Sequence, residues 1–136
     1  NMYASVCDGY GEAMCSYNSD PICVNGSCSK CIWNDDINRC HNLGLHGAKL
    51  IDDYSNVMTI CNTGGLATSG IGTALGVIQY AHAQGKDLKV HVCETRPLLQ
   101  GARLNTWELK RTKTPFTLIT DSMAAQIMKK VEINKK

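Results

Sequence analysis

Along the chain, the spacing of apolar positions changes several times. Val57-Met58-Thr59-Ile60 is an almost continuous apolar run, as expected of a strand buried on both faces. Leu88-Lys89-Val90-His91-Val92-Cys93 alternates apolar with polar and predicts a second strand. Phe116-Thr117-Leu118-Ile119-Thr120, entered through Pro115, predicts a third. Between the strands the period lengthens to that of a helix. One helix runs through Gly72-Thr73-Ala74-Leu75-Gly76-Val77-Ile78-Gln79-Tyr80-Ala81-His82, with Thr68 or Ser69 as its cap and Gly85 as its stop. Leu98 to Lys110 predicts another, with Leu99, Ala102, Leu104, Trp107 and Leu109 as its apolar positions. Ser122 to Lys129 predicts a third, cationic in its last turn as the helix dipole favours. Upstream, Asp35 to Ile51 carries a moderate helical pattern through Ile37, Leu43, Leu45, Ala48, Leu50 and Ile51, broken by Gly44 and Gly47.

Strands recurring at about 30 residues with a helix between each pair are the period of βαβ units. The expected class is therefore α/β: a partial, Rossmann-like parallel sheet of about three βα units. Right-handed crossovers place every helix start at one edge of such a sheet, where ligands bind outside the carboxyl ends of the strands. Cys61 follows the first strand, Glu94-Thr95-Arg96 the second and Asp121 the third. Helix starts at that edge would offer N–H groups to an anion such as phosphate, with Gly64, Gly65, Gly70 and Gly72 permitting close approach. Each residue also has a plainer reading. Cys61 could be a small buried hydrophobe, Asp121 the N-cap of its helix and Arg96 a surface ion-pair partner.

Composition narrows the picture only in places. A length of 136 residues suits one domain, and 43% hydrophobic content suits a packed core. The net charge of +2 gives no argument for nucleic acid or a membrane surface as partner, and no apolar run approaches membrane-spanning length. The first residues, beginning at Asn1, lack the basic-then-apolar layout of a signal peptide. Cysteine placement divides the chain. Cys7, Cys15, Cys23, Cys28, Cys31 and Cys40 crowd the first 40 residues, and only Cys61 and Cys93 follow. Residues 1–34 are rich in Gly, Ser, Asn, Asp and Cys without periodicity, so an irregular Cys-rich head is expected before a regular body over 35–136. The head could carry disulfides. Cys28-Ser29-Lys30-Cys31 with His41 and His46 could hold zinc, but no second CxxC completes that pattern. Asn25-Gly26-Ser27 fits a glycosylation triplet.

Three stretches carry a resemblance. They are Cys61-Asn-Thr-Gly-Gly-Leu-Ala-Thr-Ser-Gly-Ile-Gly-Thr-Ala-Leu-Gly-Val-Ile, Glu94-Thr-Arg-Pro-Leu-Leu-Gln-Gly-Ala-Arg-Leu and Ile119-Thr-Asp-Ser-Met-Ala-Ala. In this order and at these separations they resemble methylthioribose-1-phosphate isomerase, a family that also includes ribose-1,5-bisphosphate isomerase and the regulatory subunits of initiation factor two-B. Leu43-Gly-Leu-His-Gly-Ala is similar to the helix before the family's catalytic strand. The resemblance spans roughly residues 36–130 and leaves residues 1–34 unmatched.

What the resemblance implies is isomerisation of 5-methylthioribose 1-phosphate to 5-methylthioribulose 1-phosphate in methionine salvage. It implies Cys61 and Asp121 as the catalytic pair, with Asn62, Thr63, Gly64, Arg96 and Gln100 around the substrate. One of the pair would move hydrogen at the sugar carbons and the other the proton of the ring oxygen, in either assignment. Neither a metal nor an organic cofactor is implied, and the expected place is the cytoplasm, with the nucleus added in a eukaryote. The regulatory subunits share the fold without the catalytic cysteine, so a non-catalytic interaction module is the competing reading. Departures are visible too. Ile60 stands where the family usually has His, and the arginine-containing segment that helps hold phosphate is missing, as is the later stretch that completes the sheet. A third strand left uncovered in this way predicts self-association, hence a homo-oligomer.

Overall fold

The three runs read as strands form strands. In a computed structural model, which describes residues 23–24 and 27–130 with side chains from residue 32 onward, β3 spans Ser55–Thr59, β4 Leu88–Cys93 and β5 Phe116–Ile119. They are parallel, in the order β3-β4-β5, with Val57 opposite Val90 and Val90 opposite Phe116. Ahead of them β1 (Cys23–Val24) pairs antiparallel with β2 (Ser27–Cys28), and α1 spans Ser29–Gly47. Helices α2 (Ala74–Ala83), α3 (Thr106–Arg111) and α4 (Ala124–Lys130) follow β3, β4 and β5 in turn. Successive strands taken in order, with right-handed crossovers, carry α2 and α3 to one face of the sheet. There Leu75, Ile78 and Ala81 of α2 and Leu109 of α3 close over Leu88, Val90 and Val92, with Val57 and Phe116 at the margin. Ala48 and Ile51, just beyond α1, complete this core.

Three helices differ from the sequence expectation. First, α1 begins at Ser29, inside the stretch expected to be irregular; it runs unbroken through Gly44 and ends at Gly47, where a 3₁₀ turn, Ala48–Leu50, follows. Those glycines let α1 lie close on α2. A Cβ at Gly44 would sit 2.8 Å from the Tyr80 ring, and one at Gly47 would sit 2.6 Å from a Val77 methyl. Second, α2 starts at Ala74 and is capped by neither Thr68 nor Ser69. A bridge between Gly64 and Gly72 folds the intervening residues into an excursion, so both candidate caps lie outside the helix. The Ser69 N–H instead donates to Asp36 Oδ2 at 2.6 Å, tying the excursion to α1. Third, the helix expected over Leu98–Lys110 opens with a π-helical stretch, Gly101–Asn105, before α3. The Thr106 N–H donates to the Gly101 carbonyl five residues back. The extra residue shifts the register, so Asn105 is buried and Trp107 half exposed. Cys7, Cys15, the side chains of Cys23, Cys28 and Cys31, and Asn25 of the glycosylation triplet lie outside the described residues.

The opposite face of β4 carries His91 in register with Met58 and Thr117. Nε2 of His91 lies 3.3 Å from Asn56 Oδ1, while Nδ1 is buried without a partner among the described residues. Burial first, and the nearby Lys89 ammonium second, hold this imidazole below its ordinary pKa of 6.5. As pH falls through 6.5 the unfolded chain takes up this proton and the folded chain resists it, so acid favours unfolding. The thermal midpoint is expected to fall more steeply between pH 7 and 5.5 in the native chain than in His91→Gln, measured by circular dichroism. Equal slopes would mean that His91 is not the titrating group.

Candidate active site at the carboxyl edge of the sheet

Beyond β3 the chain passes an exposed Ile60 and reaches Cys61, which is exposed and left-handed at φ 72°. That conformation costs a residue with a Cβ about 1–2 kcal/mol, so neighbours must hold it. Its N–H donates to Thr95 Oγ1 at 2.8 Å, and its carbonyl accepts from Asn105 Nδ2 at 2.9 Å. Asn105 is wholly buried and holds the next turn as well. Its Nδ2 donates to Thr63 Oγ1 at 3.2 Å, and its Oδ1 accepts the Thr63 N–H at 3.3 Å.

Thr95 lies just past β4, itself left-handed at φ 64°. Its hydroxyl accepts from Cys61 and donates to the Cys93 carbonyl at 3.2 Å. Asp121, just past β5, does not cap its own helix. Oδ1 accepts the Thr95 N–H and Oδ2 the Arg96 N–H, each at 2.8 Å. Thr95 therefore links the ends of β3, β4 and β5 directly, and the three expected segments meet at one edge.

Other expected residues are placed differently. Asn62 is half-buried, and its Oδ1 accepts the Gly64 N–H at 3.3 Å. The Thr63 hydroxyl lies 2.9 Å from Thr59 Oγ1 and also accepts from Asn105, so it faces the protein. Gly64 is small because a Cβ there would run into the Glu108 carboxylate, which accepts the Gly65 N–H at 3.0 Å. A Cβ at Gly65 would lie 2.8 Å from the Gly70 carbonyl, and one at Gly70 would lie 3.0 Å from Cys40 Cβ. On the side where a Cβ would stand, these glycines are closed by the Glu108 carboxylate, the Gly70 carbonyl and the Cys40 side chain in turn. The start of α2 is likewise engaged, since the Thr73 and Leu75 N–H groups both donate to the Thr63 carbonyl, at 2.9 and 3.1 Å. The Arg96 side chain is exposed, and Gln100 is half-buried with Oε1 lacking a partner among the described residues. Sequence reasoning missed Asn105 and Glu108. Their only signal was polarity within a helical stretch, which usually means a solvated face.

No group of three His, Cys, Asp or Glu side chains among the described residues could hold a metal ion, and no helix there is long and apolar enough to cross a membrane.

The profile of the initiation factor 2 subunit family (IF-2B) matches residues 26–135. The chain belongs to this family. It is 52% identical over 103 residues to methylthioribose-1-phosphate isomerase of Roseiflexus sp. (strain RS-1), covering 76% of this chain and 29% of that protein. It is 54% identical over 99 residues to the enzyme of the same name from Trichlorobacter lovleyi, covering 73% and 29%. The chain thus spans under a third of the length of these relatives. Among solved structures, 5-methylthioribose 1-phosphate isomerase from Pyrococcus horikoshii OT3 superposes with TM-score 0.67 at 37% identity, covering 72% of this chain and 27% of that one. The translation initiation factor eIF-2B delta subunit from A. fulgidus superposes with TM-score 0.70 at 48% identity, covering 76% and 30%. IF-2B membership accounts for the three-stranded parallel sheet and for the motifs at its strand ends.

The three described cysteines differ in exposure. Cys61 is exposed, whereas Cys40 and Cys93 are buried at 2% and 3%. Burial, then repulsion from Asp121, pushes the Cys93 thiol above its ordinary pKa, lowering its thiolate fraction further. Iodoacetamide at neutral pH is expected to label Cys61 roughly tenfold or more faster than Cys93, read by peptide mass. Equal rates in folded protein would remove Cys61 as the accessible thiol.

Proposed function

We propose that this IF-2B segment carries the acid–base pair of an aldose–ketose isomerase that converts 5-methylthioribose 1-phosphate to 5-methylthioribulose 1-phosphate. The observation that carries the reading is the hydrogen-bonded edge where exposed Cys61 and the Asp121 carboxylate are joined through Thr95. The names borne by relatives at 52% and 54% identity point the same way.

The substrate's 1-phosphate locks the ring, so the bond from C1 to the ring oxygen must break as that oxygen gains a proton. Hydrogen moves from C2 to C1, and the C2 hydroxyl becomes the ketone. A thiol and a carboxyl facing one sugar can divide these transfers. Cys61 works at the sugar carbons and Asp121 at the ring oxygen and hydroxyls, or the reverse. Gln100 supports the reading, because its unpartnered Oε1 is an acceptor that a sugar hydroxyl could satisfy. Arg96 is the cation available to the phosphate, and Asn62, Thr63 and Gly64 shape the turn beneath it. No cofactor enters the scheme. The setting is cytoplasmic and the assembly a homo-oligomer; among the described residues β5 pairs with β4 alone, and its Leu118 is exposed.

A second reading has its own support, since the eIF-2B delta structure matches at higher identity than the isomerase structure, 48% against 37%. It makes the segment a regulatory interaction module. Turnover separates the two. The chain, and a graft of residues 36–130 into a 54%-identical relative, are incubated with methylthioribose 1-phosphate, and ketose phosphate is followed by ³¹P NMR. Weak turnover in the short chain and robust turnover in the graft are expected, because flanking segments supply further substrate contacts. An inert graft that binds no sugar phosphate leaves the interaction module. Preference for ribose 1,5-bisphosphate would move the substrate to the sister branch.

A further inference from the structure

We infer that Thr95 and Asn105 are positioning residues that clamp both peptide groups of Cys61 and so fix where its thiol stands. Thr95 takes the N–H and Asn105 engages the carbonyl, at 2.8 and 2.9 Å. Between these two hydrogen bonds the backbone is held at φ 72°, which cysteine does not adopt readily. Neither partner is local, lying 34 and 44 residues away in sequence. Each is fixed by its own surroundings. The Thr95 hydroxyl has its proton directed to the Cys93 carbonyl, so its lone pair must face Cys61. Asn105 is wholly buried and fixed by two further hydrogen bonds to Thr63. The same Thr95 peptide donates to Asp121, so one residue sets the spacing between the thiol's backbone and the carboxylate. The inference deepens the isomerase reading and rests on it for the purpose of the clamp.

The test uses Thr95→Val, Thr95→Ser and Asn105→Ala in the full 136-residue chain. Amide hydrogen exchange by NMR reads the clamp directly. In Thr95→Val the Cys61 amide is expected to exchange about tenfold or more faster, with Val90 and Val92 in β4 unchanged. Thr95→Ser keeps the hydroxyl and restores protection to within about threefold. If Asn105→Ala does not fold, the Thr95 pair carries the test alone. In kinetics on methylthioribose 1-phosphate, Thr95→Val is expected to lose roughly 10–100-fold in kcat with little change in KM, rescued by serine, because misplaced reacting atoms slow the chemical step. Unchanged Cys61 exchange in Thr95→Val overturns the clamp. Faster exchange with full kcat overturns its positioning role. If neither the native chain nor the 36–130 graft turns over or binds the sugar phosphate, the isomerase reading fails by itself, and the clamp stands or falls on exchange.

Discussion

Gly101→Ala is expected to destabilise the chain by about 3 kcal/mol or more, at or beyond the upper end of overpacking costs. An alanine Cβ there would run into the Cys93 carbonyl oxygen and sit 3.2 Å from Thr95 Oγ1. The carbonyl belongs to the last residue of the central strand, whose side chain is buried, so it has nowhere to go. The π-helical stretch that begins at Gly101 would have to lift off β4, carrying Asn105 away from Cys61. At about 4 °C per kcal/mol, between the values for smaller and larger domains, the thermal midpoint should fall by about 12 °C or more. Gly85→Ala is the control. Gly85 is left-handed at φ 88° with no atom within 4 Å of an added Cβ, so only backbone strain of about 1–2 kcal/mol applies. Melting followed by circular dichroism checks both variants. A smaller loss at Gly101 than at Gly85 would show that the approach to Cys93 is not a tight one.

Most of the fold was legible because its signals are local. Val57–Ile60, Leu88–Cys93 and Phe116–Thr120 announce themselves by apolar run or alternation, and the strands formed within a residue or two of those bounds. Convergence of Cys61, Thr95, Arg96 and Asp121 followed from topology, since parallel strands must end at one edge. What escaped depends on contacts far apart in sequence. The start of α2 was misjudged because the Gly64–Gly72 bridge turns the residues between them into an excursion, and no local pattern marks a bridge between two glycines. Gly44 reads as a helix break but lies within α1, and both it and Gly47 leave no room for a Cβ against Tyr80 and Val77 of α2. Asn105 read as one polar residue on a helix until the π-helical register buried it under Cys61. The plainer reading of Asp121, as the cap of its helix, fails because its carboxylate reaches across to the β4 loop instead.

That reach gives Asp121 a structural role as well as a proposed chemical one, and the two substitutions at the candidate pair should separate accordingly. Cys61→Ser and Asp121→Asn are each expected to lower turnover of methylthioribose 1-phosphate by roughly 10²–10⁴-fold in whichever form is active, as for loss of a positioned acid–base group. Their stabilities should differ. Cys61 is exposed, its two hydrogen bonds come from its backbone, and serine keeps both, so its midpoint should not move. Asparagine at 121 keeps one acceptor oxygen and turns an amide donor toward the other backbone N–H. One of the Thr95 and Arg96 N–H groups then loses its acceptor, at a cost of about 1–2 kcal/mol for a partly exposed charge-assisted hydrogen bond. Turnover measured beside melting curves reads both effects. Full activity in Cys61→Ser would end its role in the chemistry. Unchanged stability in Asp121→Asn would mean that the carboxylate is not what holds the β4 loop, and that the edge is organised around Thr95 and Asn105 alone.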